Sequence, residues 1–81
     1  MATTATNERG RFRFRVSEYS GRHGTPWIMT DPLESKDRLK VLGESGFIGF
    51  DLKPRTTIEQ ARKIAEYLNE HINSISCTLF H

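Results

Sequence analysis

The stretch over residues 46–79 places the strongest constraint on the fold, because it reads as a strand, a turn, an amphipathic helix and a second strand. Thr57 and Gln60 have the spacing of a capping box, which marks the start of the helix, and Thr56 with Glu59 is an alternative one residue earlier. The apolar positions that follow fall within about 120° of arc at ~100° per residue. They are Ile58, Ala61, Ile64, Ala65, Leu68 and Ile72. A stripe of this width predicts that one face of the helix packs on a sheet.

The N-terminal half predicts a further strand over residues 11–19. Phe12, Phe14 and Val16 alternate there with arginines, which is the period of two that a half-buried antiparallel strand shows. The apolar residues are therefore expected on the side of the helix, and the arginines on the other side.

A hairpin is predicted next, with its loop over residues 20–25 and its second strand over residues 26–30. The direction in which the second strand faces is left open by its pattern. Either Trp27 and Met29 point toward the core, or Ile28 does.

Together these elements predict an α+β fold of two layers, in which one amphipathic helix packs on a mixed sheet of four or five strands. The order is a β-hairpin, a strand, the helix and a last strand, and residues 39–52 are expected to form a second hairpin. A strand, a crossover helix and a strand favour a right-handed unit, so residues 47–52 and 75–79 are expected to be parallel. Residues 1–10 are expected to be a disordered N-terminal tail, and residues 11–81 a single α+β domain.

The size of the chain favours self-association. A domain of 81 residues has a marginal hydrophobic core, and such domains are usually helped by disulfides, metal ions or oligomerisation. The single cysteine, Cys77, cannot close an internal disulfide. A homo-oligomer is therefore the expected remedy.

The composition argues against a membrane protein. No apolar run approaches the ~20 residues that span a bilayer, and the first residues lack the apolar core of a secretory signal. We therefore expect a cytoplasmic protein with no membrane partner. The net charge of +2 is too small to indicate a class of partner on its own.

The segment GFIGFDL, followed by the pattern A-x-x-I-A-x-Y-L-N over residues 61–69, resembles stretches of short uncharacterised bacterial proteins. The resemblance covers residues 46–79. It implies a bacterial origin, and it implies no activity, no cofactor and no functional residue.

A row of arginines is the sharpest local candidate for binding. In an extended strand Arg11, Arg13 and Arg15 stand ~6.8 Å apart on one face, close to the spacing of successive phosphates in a nucleic-acid strand. With Arg22 nearby, this face is a hypothetical contact surface for single-stranded RNA or DNA.

The same row has a simpler interpretation, which the pattern favours. Arginines on the solvated side of a strand commonly pair with acids on neighbouring strands, and Glu18, Asp51 or another acid could form such pairs.

The other reactive residue types form no catalytic or metal-binding pattern. The two G-x-x-G tetrapeptides, at residues 21–24 and 43–46, lie between predicted strands and are typical of hairpin turns. Cys77 lies on the predicted inward face of the last strand, where it is expected to act as a small hydrophobic residue rather than as a nucleophile paired with His71 or His81. We therefore expect no enzyme, no metal, no cofactor and no small-molecule substrate.

A surplus of apolar residues supplies the leading functional hypothesis. One helix covers only one face of a sheet, so several large side chains are expected on the uncovered face, where they suit a protein partner. They are Tyr19, Trp27, Ile28, Phe47 and Phe80, with Trp27 and Ile28 as alternatives. The sequence thus predicts a non-enzymatic interaction module that self-associates or docks on a protein partner. The alternative is a nucleic-acid-binding protein, and a small enzyme comes third. If the tail or residues 31–38 cover the apolar face, that face is not available to a partner.

Overall fold

The computed structural model describes residues 5–17 and 25–80, which contain five strands, one α-helix and two short 3-10 helices. One helix packed with five strands confirms the α+β class. The elements in chain order are β1 (Ala5–Gly10), β2 (Phe12–Ser17), β3 (Trp27–Pro32), the 3-10 helices η1 (Ser35–Asp37) and η2 (Lys40–Leu42), β4 (Gly49–Asp51), α1 (Ile58–His71) and β5 (Ile75–Phe80).

The strands form two antiparallel sheets rather than one mixed sheet. The larger sheet has the order β2-β3-β4, and the smaller pairs β1 with β5, which we call the ribbon. The expected parallel pairing of the strands on either side of α1 is therefore wrong. β4 offers only three residues for pairing, whereas β1 offers six, and β5 pairs with β1 along its whole length.

The expected disordered tail is wrong for Ala5–Gly10, which form β1, and residues 1–4 lie outside the described residues. A ladder is built from backbone groups, so a polar segment without apolar alternation can still pair when a partner strand is available. Glu8 also anchors β1 to η2, because its carboxylate accepts hydrogen bonds from the backbone N–H groups of Lys40 (2.6 Å) and Val41 (3.1 Å).

The core lies between α1 and the larger sheet. Phe14, Ile28 and Ala65 form its buried centre, and half-buried apolar side chains surround them, namely Val16, Leu52, Leu68 and Ile75. Residues directly opposite each other in a ladder share a face. Because Ile28 lies opposite Val16 and points into the core, Trp27 and Met29 point away from α1.

The capping box at the start of α1 is confirmed. Thr57 accepts a hydrogen bond from the backbone N–H of Gln60 (3.1 Å), and the side chain of Gln60 accepts one from the backbone N–H of Thr57 (2.9 Å). The apolar stripe is covered only in part, since Ala61 and Ala65 are buried. The outer members of the stripe remain exposed, namely Ile58, Ile64 and Ile72.

Asn69 ties the last turns of α1 to the edge of β2. Its side-chain amide donates to the carbonyl of Phe14 and accepts from the N–H of Phe14, both at 2.8 Å. In an antiparallel strand the N–H and C=O of one residue point to the same side. Asn69 therefore occupies, at Phe14, the place that a further strand would take.

Candidate functional site

The uncovered face of the larger sheet carries an aromatic pair. The rings of Trp27 and Phe47 lie 5.5 Å apart between centroids and are tilted by 45°. Gly49 makes this arrangement possible, because a Cβ atom at that position would lie 2.3 Å from the ring of Trp27. We call Trp27 and Phe47 the aromatic patch. Phe47 is 49 % exposed and Trp27 is half-buried, so the patch presents apolar surface to solvent.

A cleft of about 160 Å³ opens beside the aromatic patch, between β3, η2 and the residues that lead to β4. Its walls are mostly apolar, formed by Phe12, Met29, Pro32, Leu39, Leu42 and Phe47. Asp31 and Arg38 supply charged groups to the lining. Asp31 pairs with Arg15, whereas Arg38 is exposed and makes no ion pair with any described residue.

The structure brings together only part of the predicted protein interface. Trp27 and Phe47 meet in the aromatic patch, but Ile28 is 0 % exposed and its assignment to an interface is wrong. The alternation of β3 sends Ile28 to the opposite face from Trp27. Phe80 is 75 % exposed, but it lies at the end of β5 in the ribbon. Tyr19 lies outside the described residues.

The arginine row does not form three equivalent free guanidinium groups. Arg11 precedes β2 and pairs with Glu34 (3.0 Å) and Asp37 (3.4 Å). Arg15 pairs with Asp31, and Arg13 makes no ion pair within residues 5–17 and 25–80.

Opposite charges near the strand therefore account for two arginines, and the acids that pair with them are Glu34, Asp37 and Asp31 rather than Asp51. Glu18 and Arg22 lie outside the described residues. Nucleic-acid binding by this face stays a prediction.

Asp37, which the sequence analysis did not single out, is the most connected carboxylate of this region. It is 6 % exposed, and it accepts hydrogen bonds from the backbone N–H groups of Arg11 (2.9 Å) and Glu34 (3.1 Å). The hydrogen bond from the Arg11 backbone lowers the pKa of Asp37, with help from the Arg11 guanidinium, while burial opposes the shift. The hydrogen bond with Asp37 in turn raises the pKa of Arg11.

Acid is expected to remove the contribution of Asp37 to stability. The pKa of Asp37 is about 3.8 in the unfolded chain and is lower in the folded protein. At a pH between these two pKa values the unfolded chain binds more protons than the folded protein, so stability rises with pH there. The contribution is complete above the unfolded pKa and is lost as the pH falls through the folded pKa. Urea midpoints measured from pH 6 to about pH 2.5 should show the difference between wild type and Asp37→Asn shrinking toward acid.

Glu44→Gln serves as the control for removal of a carboxylate, because Glu44 is exposed and lies in the turn after η2. A difference between wild type and Asp37→Asn that stays constant across this range contradicts the role given to Asp37.

Cys77 is a free, half-buried thiol in β5. It was expected between two inward residues, but Ile75 is half-buried and Leu79 is 40 % exposed, so only the start of β5 reaches the core. Within the described ranges no three side chains of His, Cys, Asp or Glu are placed to hold a metal ion. The one α-helix described there is too short and too polar to cross a bilayer.

Comparison with known proteins found no match: no family model, no curated protein and no solved structure is similar to this chain. The resemblance of residues 46–79 to short bacterial proteins therefore stays a prediction.

Proposed function

We propose that the chain is a small interaction module that binds a protein partner through the uncovered face of its larger sheet. The aromatic patch forms the centre of the contact, and the cleft beside it receives one apolar side chain of the partner. The observation that carries the proposal is the position of the exposed Phe47, which both packs beside Trp27 and lines the cleft.

The size of the cleft favours a side chain over a metabolite. Binding sites for small molecules usually enclose about 300–1,000 Å³, whereas this cleft encloses about 160 Å³. A cavity of roughly 150 Å³ with apolar walls is sufficient for a benzene ring. One phenyl or large aliphatic side chain therefore matches the space, and an aromatic residue that fills a pocket is the typical anchor of a protein interface.

The charges at the cleft narrow the class of partner. The carboxylate of Asp31 is already paired with Arg15, so Arg38 is the group left to contact a partner's charge. An acid beside the inserted residue would pair with Arg38 at the polar rim, where such pairs contribute more to orientation than to affinity. The favoured partner segment thus carries a large apolar residue next to an aspartate or glutamate.

A peptide-display selection against the purified chain tests this function. We expect the enriched peptides to share one aromatic or large aliphatic residue with a neighbouring acid, and to change the fluorescence of Trp27, which is the single tryptophan of the chain. Phe47→Glu should weaken their binding about 30-fold or more, as expected for a hot spot of about 2 kcal/mol.

Leu33→Glu is the matched control, because Leu33 is similarly exposed but does not line the cleft. It should bind the selected peptides as wild type does. Selected peptides without a shared apolar residue, or binding that is equally strong in Phe47→Glu, would rule out the aromatic patch as the binding surface.

A further inference from the structure

The free edge of β5 has none of the features that usually prevent strands from pairing between molecules. β5 reads Ile-Ser-Cys-Thr-Leu-Phe, and its six residues include no charged residue, no proline and no glycine. Edge strands are normally protected by charges, prolines, bulges or a covering segment. Among the described residues β5 pairs only with β1, so its second edge is unpaired there.

The other edges of the two sheets are protected. β2 is blocked at Phe14 by the amide of Asn69. β1 carries Glu8 and Arg9, and Glu8 binds the backbone of η2. β4 has only three residues and ends on Asp51. Within the described part of the chain, β5 is therefore the one long edge that lacks protection.

A third strand would further stabilise the outer half of the ribbon. An isolated pair of strands is at best marginally stable in water, and stability requires further strands or a packed face. Ile75 packs against the core, but at the far end of β5 Leu79 is 40 % and Phe80 is 75 % exposed. The outer half of the ribbon thus presents apolar side chains beside an unpaired edge.

We propose that β5 pairs with β5 of a second copy of this chain, which joins the two ribbons into one four-stranded antiparallel sheet with β1 strands on the outside. A two-fold axis relating antiparallel strands stands perpendicular to the sheet, so residues on the same face must lie opposite each other. Centring the axis on Cys77 places Ile75 of each copy opposite Leu79 of the other. The half-buried apolar face of the ribbon then continues from one copy into the next.

A second copy fits this edge better than an unrelated strand does. The edge is uncharged, so two identical strands meet without like charges at the axis, where identical residues are necessarily close. Six paired residues bury less than the ~800 Å² per partner of a standard interface, so we expect a dissociation constant in the micromolar range. This surface is separate from the aromatic patch, and the inference goes beyond the binding function proposed above.

Sedimentation velocity between about 1 and about 500 µM tests the proposal, since this range brackets a micromolar constant. Wild type should shift from the monomer of 9.3 kDa to twice that mass. Mild oxidation should link the two copies through Cys77, because directly opposite residues have Cα atoms about 4.5–5.5 Å apart, a separation that a disulfide spans. Cys77→Ser should dimerise without becoming linked.

Charge substitutions locate the interface. Ser76 and Thr78 are exposed on the other face of β5 and lie opposite each other across the proposed axis. Ser76→Glu/Thr78→Glu should raise the dissociation constant about tenfold or more through two like-charge pairs. Mixing this variant with Ser76→Lys/Thr78→Lys should restore the dimer as a heterodimer.

Asn7→Glu is the matched control. Asn7 is in β1, directly opposite Thr78 of β5, so it lies on the same face but one strand away from the interface. The two copies of residue 7 would stand more than about 14 Å apart, beyond the ~8 Å screening length at physiological salt. This variant should dimerise as wild type does, and so should Phe47→Glu, which separates the dimer from the binding of a partner at the aromatic patch.

Three results overturn the proposal. One is a wild type that stays monomeric at about 500 µM. Another is a dimer in which Cys77 does not become linked, a result that needs no substitution in β5 and holds even if the charged variants fail to fold. The third is a set of folded charge variants, checked by circular dichroism, that dimerise as wild type does and show no preference for the mixture.

Discussion

Replacing Ile28 by alanine is expected to lower the free energy of unfolding by about 2–5 kcal/mol, the range seen when a buried isoleucine is truncated. Ile28 is 0 % exposed and lies between Phe14 and Ala65, where α1 meets the larger sheet. A chain of 81 residues has a total of about 4–12 kcal/mol, so this single change removes a large share of it. Thermal or urea unfolding followed by circular dichroism measures the loss, and 2 kcal/mol alone corresponds to about 8–16 °C.

Ile64→Ala is the matched control for this experiment. Ile64 lies on the same apolar stripe of the sequence, but it is 39 % exposed, and alanine has the higher helix propensity. We expect a loss below about 1 kcal/mol. If Ile28→Ala instead keeps the unfolding midpoint and weakens association with a partner, Ile28 belongs to an interface and its place in the core is refuted. Should Ile28→Ala not fold, Ile28→Val should still lower the free energy of unfolding by about 0.5–1.5 kcal/mol, and Ile64→Val, its control at the exposed position, should change it by less than about 0.5 kcal/mol.

Replacing Gly10 by alanine is expected to disturb the junction between the ribbon and the rest of the molecule. A Cβ atom there would lie 1.9 Å from the backbone carbonyl oxygen of Asp37, and a backbone group cannot move aside as the end of a side chain can. Overpacking of this kind costs roughly 1–3 kcal/mol. The displacement of η1 would also strain the hydrogen bonds that Asp37 accepts from Arg11 and Glu34, so we expect the upper end of that range.

Two measurements check the Gly10 substitution. The urea midpoint should fall, and the thiol of Cys77, which is half-buried in the native ribbon, should react faster with a thiol reagent. Gly49→Ala is the comparison, because its Cβ atom would meet the ring of Trp27, a side chain that can rotate. It should change the fluorescence of Trp27 with a smaller loss of stability. Unchanged stability and thiol reactivity in Gly10→Ala would show that β1 and η1 are not in close contact.

The two proposed binding surfaces lie on different sheets, the aromatic patch on the larger sheet and the edge of β5 on the ribbon. The larger sheet packs against α1 on one face and carries the aromatic patch on the other, with the cleft beside the patch between β3 and η2. The ribbon is anchored at one end by Gly10, Glu8 and Ile75 and leaves the edge of β5 open. A dimer through β5 would hold two aromatic patches in one assembly, which increases the effective affinity for a partner that carries two matching segments.

Much of the local structure could be predicted because it depends on neighbours in the sequence. The capping box of Thr57 and Gln60 involves residues three apart, and the alternation of β2 involves residues two apart. Patterns within such short windows determine helix and strand locally, and the α+β class follows from their order. The exposure of Phe47 and Phe80 was also expected, since one helix covers one face of a sheet.

The candidate site could be predicted only in part. Phe47 and Trp27 were both named, but the pattern of β3 allowed Trp27 or Ile28 to point inward, and only contact with Phe14 and Ala65 decides for Ile28. The cleft depends on η2 and the turn after it, whose position has no periodic signal in the sequence. Asp37 could have been suspected from Glu34, three residues earlier, since that spacing occurs in capping boxes.

By itself, the sequence determined the helix, its cap, the strands with clear alternation and the excess of apolar side chains over what one helix can cover. The tertiary structure alone decided which strands pair, and so it turned an expected tail into β1 and an expected parallel strand into its antiparallel partner. The physical reason is that a ladder joins backbone groups, which every residue carries, and here it joins Glu8 to Cys77 across nearly the whole chain. The alternation of side chains indicates which face of a strand is buried, but it does not indicate which strand pairs with each edge.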